Sequence, residues 1–359
     1  MAERLVVVIA AGAIAACANF PLLPGGAPEH PPVVRQRFPL PPPGDEIVGE
    51  IQVVTAREDD TLLDIARHFD VGYNEITAAN PDVDPWLPGA GTRVVVPTQF
   101  ILPPEPWEGI VINVTAMRLY YFPKAFPGEH PVVVTHPIGV GRVDWPTPTG
   151  STSIVEKTVK PSWYVPASIR REHAEAGDPL PAVVPPGPDN PLGDFAMRLS
   201  MREYLIHGTN KPYGIGMRVS HGCIRMYPED IESLFAGVPI GTPVRLVKTP
   251  FAVGRRGGAL YVAAHAPLEE DLPEGGDGTK AAMAAIVQTA ERAKIPVDRA
   301  KAMQVVGDAN GYPLPVSPGT PPAQAVVANA RRVANPFREQ DETTTASGWS
   351  FLPFTRNVD

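Results

Sequence analysis

Two cysteines in 359 residues leave almost no covalent bracing. Cys17 and Cys223 cannot build a disulfide framework, and without a CxxC or an HExxH the chain lacks the ligand spacing of ordinary zinc sites. Positive charge is also short. Lys and Arg number 31 against 39 Asp and Glu, a formal net charge of −8, so there is no basic field for gripping nucleic acid. The apolar run from Leu5 to Ala16 is too short to span a bilayer as a folded anchor.

Proline is abundant: 45 residues, clustered, which predicts extended linkers and loop-rich β structure with few long helices. With 43% hydrophobic residues the chain can still bury a substantial core, enough for two or three domains. Its first 18 residues, one early arginine followed by the Leu5–Ala16 run, have the layout of an export signal. Ala16-Cys17-Ala18 fits an ordinary small-x-small cleavage site, whereas Ile14-Ala15-Ala16-Cys17 resembles the lipobox of bacterial lipoproteins. Both place the mature protein in the periplasm, and the second adds a lipid anchor at Cys17. Either way Cys223 is left as an unpaired thiol.

Residues 19–45 are proline-dense without hydrophobic period and read as a semi-extended tether. Residues 46–100 then fit strand, helix, helix, strand. Thr61 or Asp60 caps a first helix whose Leu62, Ile65, Ala66 and Phe69 fall at helical spacing, a second short helix runs around Asn74 to Ala79, and "TRVVVP" closes the unit. The segments "DDTLLDIARHF", "ITAANP" and "LPGAGTRVVVP" resemble the lysin motif (LysM). That resemblance implies a small βααβ module that binds glycan strands of peptidoglycan.

From Trp107 onward β signals dominate. "GIVINVTAMRLYYF" and "HPVVVTHPIGVG" are rich in β-branched and aromatic residues and are broken by Pro and Gly, which predicts an all-β sandwich or barrel with long loops over residues 106–248. Residues 249–310 predict a short α+β appendage, with a hairpin turning at Arg255–Gly258 and a helix over "GTKAAMAAIVQTAERAKI". Residues 311–359 turn polar and proline-rich and read as a disordered tail.

Within the β region "LIHGTN" and "SHGCIRM" place His207 and Cys223 16 residues apart. A free thiol is only a few per cent ionised at neutral pH, so a cysteine nucleophile gains from an imidazole that takes its proton. His221 stands two residues before Cys223; on an extended strand such neighbours lie about 7 Å apart, whereas His207 reaches the thiol from another segment. Pro228, Glu229 and Asp230 form the first turn of a helix, and backbone amides around Gly222 and Cys223 could face a developing oxyanion. The competing readings are an inert buried cysteine, a metal site of His207, His221 and Cys223, and an interchain disulfide. The polar and glycine neighbours argue against the first, and the missing fourth ligand against the second.

"IHGTN" followed by "SHGCIRM", with "PIGVGR" and "WPTPTG" upstream, resembles the catalytic domain of the L,D-transpeptidases (YkuD or ErfK family). The resemblance implies Cys223 as nucleophile, His207 as general base and the Gly208 carbonyl as the group that orients the imidazole. It also implies an oxyanion hole of the His221, Gly222 and Cys223 amides. Ser220 and Arg225 are the substrate-binding candidates; Arg225 stands where the family usually has asparagine, and its guanidinium would bind a substrate carboxylate or lock a loop. The implied chemistry is acyl transfer on peptidoglycan stem tetrapeptides, with no cofactor and no metal. The implied acceptor is a stem diaminopimelate, a lysine of an outer-membrane lipoprotein, or water.

Overall fold

The computed structural model of the protein describes residues 34–272 and 278–337, so the export signal and Cys17 lie outside the described residues. Its centre is a nine-stranded sheet. In spatial order the strands are Arg37–Pro39, Val132–Pro137, Arg118–Phe122, Gly109–Asn113, Pro243–Val247, Gly150–Val159, Phe195–Leu199, Leu205–His207 and Ile224–Arg225. Most neighbours run antiparallel; Pro243–Val247 beside Gly109–Asn113, and Ile224–Arg225 beside Leu205–His207, run parallel. Beyond the last strand Arg225 exchanges both backbone hydrogen bonds with Gly139, at 2.8 and 2.9 Å. Gly139 directly follows Ile138 at the end of Val132–Pro137, near the sheet's other edge, so the sheet curls back towards itself.

Alternation decides which core each residue enters. On Gly109–Asn113, Ile110 and Ile112 join Leu119, Ile154, Leu199, Ile206 and Ile224 in one core, which Ile231 and Leu234 of helix Pro228–Gly237 cover. Val111, between them, faces the opposite side with Tyr120, Phe122, Val133 and Phe100. Each such fully buried aliphatic side chain contributes roughly 1.5–3 kcal/mol of transfer free energy. A sheet covered on both faces explains why these strands read as unbroken apolar runs rather than alternating ones.

The second unit is a β-α-α-β arrangement: strand Gln52–Thr55, helices Leu62–His68 and Tyr73–Ala79, and strand Arg93–Val96, with the two strands paired antiparallel. Thr61 caps the first helix, its hydroxyl accepting from the Asp64 amide at 3.1 Å. Leu62, Ile65 and Ala66 bury the face that the sequence spacing implies.

This unit is joined to the nine-stranded sheet by charges that are themselves buried. Arg118, 1% exposed on strand Arg118–Phe122, donates to both carboxylate oxygens of Glu75 at 2.6 and 2.7 Å and to the Asp70 carbonyl at 3.0 Å. Its guanidinium lies 4.1 Å over the Phe100 ring. His136 Nδ1 sits between Asp70 (3.1 Å) and Asp230 (3.4 Å), all three buried. Burial pushes the Asp70 carboxyl up, the neighbouring Asp230 adds to the rise, and it reaches about 8. Burial alone would lower the His136 imidazolium, but the two carboxylates outweigh it and lift it to about 10. The two units also touch backbone to backbone. Tyr73 N–H donates to Ile215 O, and Asn74 N–H to Gly216 O. A Cβ on Gly72 would stand 2.7 Å from Gly216 Cα, an approach only glycine permits.

Two expectations need correction. Residues 34–45 are not free tether: Arg37–Pro39 pairs with Val132–Val134, and Gln36 donates to the Phe69 carbonyl at 2.8 Å. Proline is tolerated there because this is the sheet's edge strand. Nor does a disordered tail begin at residue 311. Tyr312, Leu314 and Val316 are 4, 1 and 0% exposed. They pack with the hairpin Phe251–Arg256 and Ala259–Ala264, and with helices Thr279–Ala293 and Arg299–Asp308. The core so formed also takes in Ile51, Ala79 and Val95 of the β-α-α-β unit. Arg331–Arg332 then adds a parallel third strand beside Gln52 and Val53. Those few apolar residues were hidden among the prolines that make the segment look unstructured; residues 338–359 lie outside the described residues. No described helix is long and apolar enough to cross a membrane.

Candidate active site

The parallel pairing of Leu205–His207 with Ile224–Arg225 brings the two halves of the motif together. Ile206 opposes Ile224, His207 opposes Arg225, and Met226 N–H donates to the His207 carbonyl at 2.9 Å. Cys223 stands one residue before this strand, two before Arg225 and therefore on the same side of the ladder as Arg225 and its partner His207. The loop between them pairs Arg218–Ser220 with Val140–Gly141 before turning at Gly222. Gly222 has φ +100°, and a Cβ there would stand 2.9 Å from the Tyr204 ring, so both conformation and space require glycine.

His207 is 3% exposed, and its Nδ1 lies 2.7 Å from the Gly208 carbonyl. A carbonyl only accepts, so Nδ1 carries the hydrogen and Nε2 keeps its lone pair. Burial, reinforced by the positive charge of Arg225, pulls the imidazolium pKa down to about 3, so the ring is neutral at physiological pH. The Cys223 thiol, half-buried and free, donates to the Glu203 carbonyl at 3.6 Å. Burial pushes its pKa up, against the backbone at Leu205 and the charge of Arg225, so at rest it is the thiol. In this resting arrangement His207 and Cys223 are not hydrogen-bonded to each other among the described residues.

The turn carrying Cys223 is held from within. Ser220, 1% exposed, donates from its hydroxyl to the Cys223 carbonyl at 2.6 Å and accepts from the Gly222 amide at 3.1 Å. Ser220 is thus a loop brace, not a substrate-facing group, because both functions of its buried hydroxyl are used inside the loop. The same bond removes the Gly222 amide from the expected oxyanion set. The His221 and Cys223 amides donate to nothing among the described residues. Thr147, from the "WPTPTG" segment, donates to the Gly222 carbonyl and accepts from the Gly141 amide, both at 2.9 Å. Arg225 is fixed through its backbone, but its guanidinium makes no hydrogen bond among the described residues, and burial lowers its pKa. The loop-locking alternative for Arg225 therefore lacks a partner.

His221 points away from any role as a free base. Its Nε2 lies 3.1 Å from Glu172, on helix Ala167–Glu175, and its ring meets Trp145 edge-on at 5.3 Å. Glu172 carries no sequence signal, since an acidic residue in "SIRREHAE" reads as a solvated helix face. Nor do His207, His221 and Cys223 converge as metal ligands. Among the described residues, the His/Cys/Asp/Glu group whose ligand atoms lie within 4.8 Å of one another is Asp70, His136 and Asp230, at the junction of the two units.

A curled β-sheet with a buried, carbonyl-anchored histidine beside a thiol on a glycine turn defines the class, and comparison with known proteins agrees with it. The family model of the L,D-transpeptidase catalytic domain, YkuD, matches residues 108–246. A protein of Escherichia coli K12 named probable L,D-transpeptidase YcfS is 44% identical over 249 residues, 68% of this chain and 77% of that protein. Probable L,D-transpeptidase YbiS of the same strain is 46% identical over 235 residues, 64% of this chain and 75% of its own length. Probable L,D-transpeptidase ErfK/SrfK of Salmonella typhimurium LT2 is 39% identical over 291 residues, 79% of this chain and 92% of its own. The chain belongs to the L,D-transpeptidase family.

Proposed function

We propose that the protein is a cysteine-dependent L,D-transpeptidase of the bacterial cell wall. The observation that supports it most is His207: buried, neutral, its Nδ1–H committed to Gly208, and its Nε2 lone pair on the strand next to Cys223. Nε2 takes the Sγ proton as sulfur attacks the carbonyl of the third residue of a stem tetrapeptide. The amides of His221 and Cys223 receive the oxyanion. Each donor of this kind is worth about 10²–10³ in rate. Collapse breaks the amide bond, and the proton on Nε2 leaves with the amine of the terminal D-alanine. An acceptor amine then attacks the thioester, gives its proton to Nε2, and displaces Cys223 as thiolate, which recovers that proton.

Arg225, cationic and without a side-chain partner, suits the carboxylate of the terminal D-alanine. Pairing there would also neutralise the charge that helps to hold His207 down, strengthening the base once substrate is bound. The β-α-α-β unit serves as a LysM module that holds glycan strands, and its contact with Ile215 and Gly216 carries that hold to the loop before Cys223. The export signal places the enzyme in the periplasm, with Cys17 as a lipid anchor if it is the first residue after cleavage. The acceptor is a stem diaminopimelate, giving a 3→3 cross-link, or a lipoprotein lysine.

Muropeptide mass spectrometry after incubation with tetrapeptide-rich sacculi tests the reading. It expects loss of D-alanine with cross-linked dimers, abolished in Cys223→Ala, and a carbapenem adduct on Cys223. Binding to sacculi with unchanged muropeptides would leave a wall-binding protein instead, and release of glycan from peptide would mean an amidase.

A further inference from the structure

Between strands Gly150–Val159 and Phe195–Leu199 the chain makes a long excursion that contains helix Ala167–Glu175 and a small ladder pairing Trp163–Tyr164 with Val183–Val184. This excursion touches the catalytic turn through one residue in particular. Glu172 presents one carboxylate oxygen to His221 Nε2 at 3.1 Å and the other to the guanidinium of Arg142. Arg142 in turn donates its backbone amide to the Ser220 carbonyl at 3.1 Å. One carboxylate therefore ties the excursion to both sides of the turn that carries Cys223.

We infer that Glu172 is a positioning residue for the transpeptidation reaction, fixing the tautomer and orientation of His221 and, through its backbone, the oxyanion amides beside Cys223. The inference rests on the reading of Cys223 as nucleophile but assigns a role that reading does not contain. Its logic is a matter of donors and acceptors. The hydrogen bond from Arg142 holds Glu172 below the usual carboxylate range, so it is ionised and can only accept. His221, neutral because burial lowers it, must then place its single hydrogen on Nε2. The ring is further confined by the Trp145 edge contact. The His221 amide lies in the Ser220–His221 peptide, whose carbonyl accepts from the Arg142 amide, so a ring locked to Glu172 and Arg142 fixes the plane from which that amide emerges. Losing the lock lets that amide drift, and misplacement by about 1 Å costs on the order of 10²-fold in rate.

The same contact accounts for two histidines in one motif with different duties. His207 has Nδ1 protonated and Nε2 free, as a base needs. His221 has Nε2 protonated and engaged, which disqualifies that nitrogen as a base.

Ring nitrogen shifts of His221, read by ¹⁵N NMR on the whole protein near pH 7, test this together with turnover of a soluble tetrapeptide muropeptide. Wild type should show a protonated Nε2 and a pyridine-like Nδ1. Glu172→Ala should move both nitrogens towards the average of two tautomers and lower kcat about 10- to 100-fold, with little change in KM. Glu172→Gln, with one acceptor oxygen left for the two donors His221 Nε2–H and Arg142, should fall between wild type and Glu172→Ala in both the ring shifts and kcat. A wild-type His221 protonated on Nδ1 overturns the assignment. So does a Glu172→Ala variant with unchanged shifts, whether it stays active or loses activity together with its melting temperature. An active Cys223→Ala would instead defeat the parent reading, while the tautomer measurement would stand apart from it.

Discussion

Replacing Glu75 by glutamine tests how firmly the β-α-α-β unit is built into the enzyme. In the native protein the carboxylate accepts from Arg118 twice, at 2.6 and 2.7 Å, and from the Gly72 amide at 2.7 Å. Glutamine preserves volume and an acceptor for Gly72, but it cannot receive both guanidinium bonds, and it leaves the charge of Arg118 uncompensated at 1% exposure. Breaking a buried pair by removing one partner costs about 3–5 kcal/mol, far more than the zero to 1 kcal/mol of an exposed ion pair. At about 2–4 °C per kcal/mol, the figure for domains of about 150–250 residues, the melting temperature should fall by roughly 6–20 °C. Adding Arg118→Met removes the orphaned charge while filling its space, and most of the loss should return, because the cost of breaking a buried pair lies chiefly in the uncompensated charge left behind. Calorimetry on the wild type, both single variants and the double variant measures the coupling. A Glu75→Gln variant within about 1 kcal/mol of wild type, or a double variant no more stable than Glu75→Gln, would refute the reasoning.

The buried Asp70–His136–Asp230 group predicts a pH dependence with a definite sign. Both His136, lifted to about 10, and Asp70, lifted to about 8, bind protons more tightly folded than unfolded. Stability from His136 is full below about pH 6.5 and is lost as pH rises towards 10, while Asp70 erodes it between about pH 4 and 8. The melting temperature should therefore fall from pH 6 to pH 9, less steeply in Asp70→Asn; a flat or rising wild-type curve would contradict this. For Arg225→Gln, kcat/KM on tetrapeptide stems should drop about 5- to 150-fold, the 1–3 kcal/mol of a lost charge-assisted hydrogen bond. Its acid limb should also move to higher pH, because the charge that lowers His207 is gone and the imidazolium persists further up the scale. An unshifted limb would separate Arg225 from the base.

Cys223 and His207 stood out as candidates because their chemistry is local, an unpaired thiol among glycines and histidines, whereas the Gly208 carbonyl came only from the family resemblance; the structure places that carbonyl 2.7 Å from His207 Nδ1. Helix Leu62–His68 was equally open, since Thr61 and the spacing of Leu62, Ile65 and Ala66 obey one period. What stayed hidden was long-range. Arg118 and Glu75 lie 43 residues apart, and His136 and Asp70 66 apart. Charged residues taken singly read as solvated, so nothing in the chain announced that these would be buried together. Ser220 looked like a substrate group because hydroxyls beside a nucleophile often are, and only the turn at Gly222 shows that its hydroxyl is already used.

Intact-protein mass spectrometry of the thioester formed from a tetrapeptide muropeptide, followed over time in wild type, His207→Ala and His221→Ala, bears most directly on the assignment of Cys223 and His207. The adduct should map to Cys223 and carry the stem without its terminal D-alanine. It should form about 10²–10⁴-fold more slowly in His207→Ala, the usual cost of losing a general base, and about 10- to 100-fold more slowly in His221→Ala, whose oxyanion amide loses its lock. An adduct on another residue, or a His207→Ala enzyme that acylates normally while His221→Ala does not, would contradict the account.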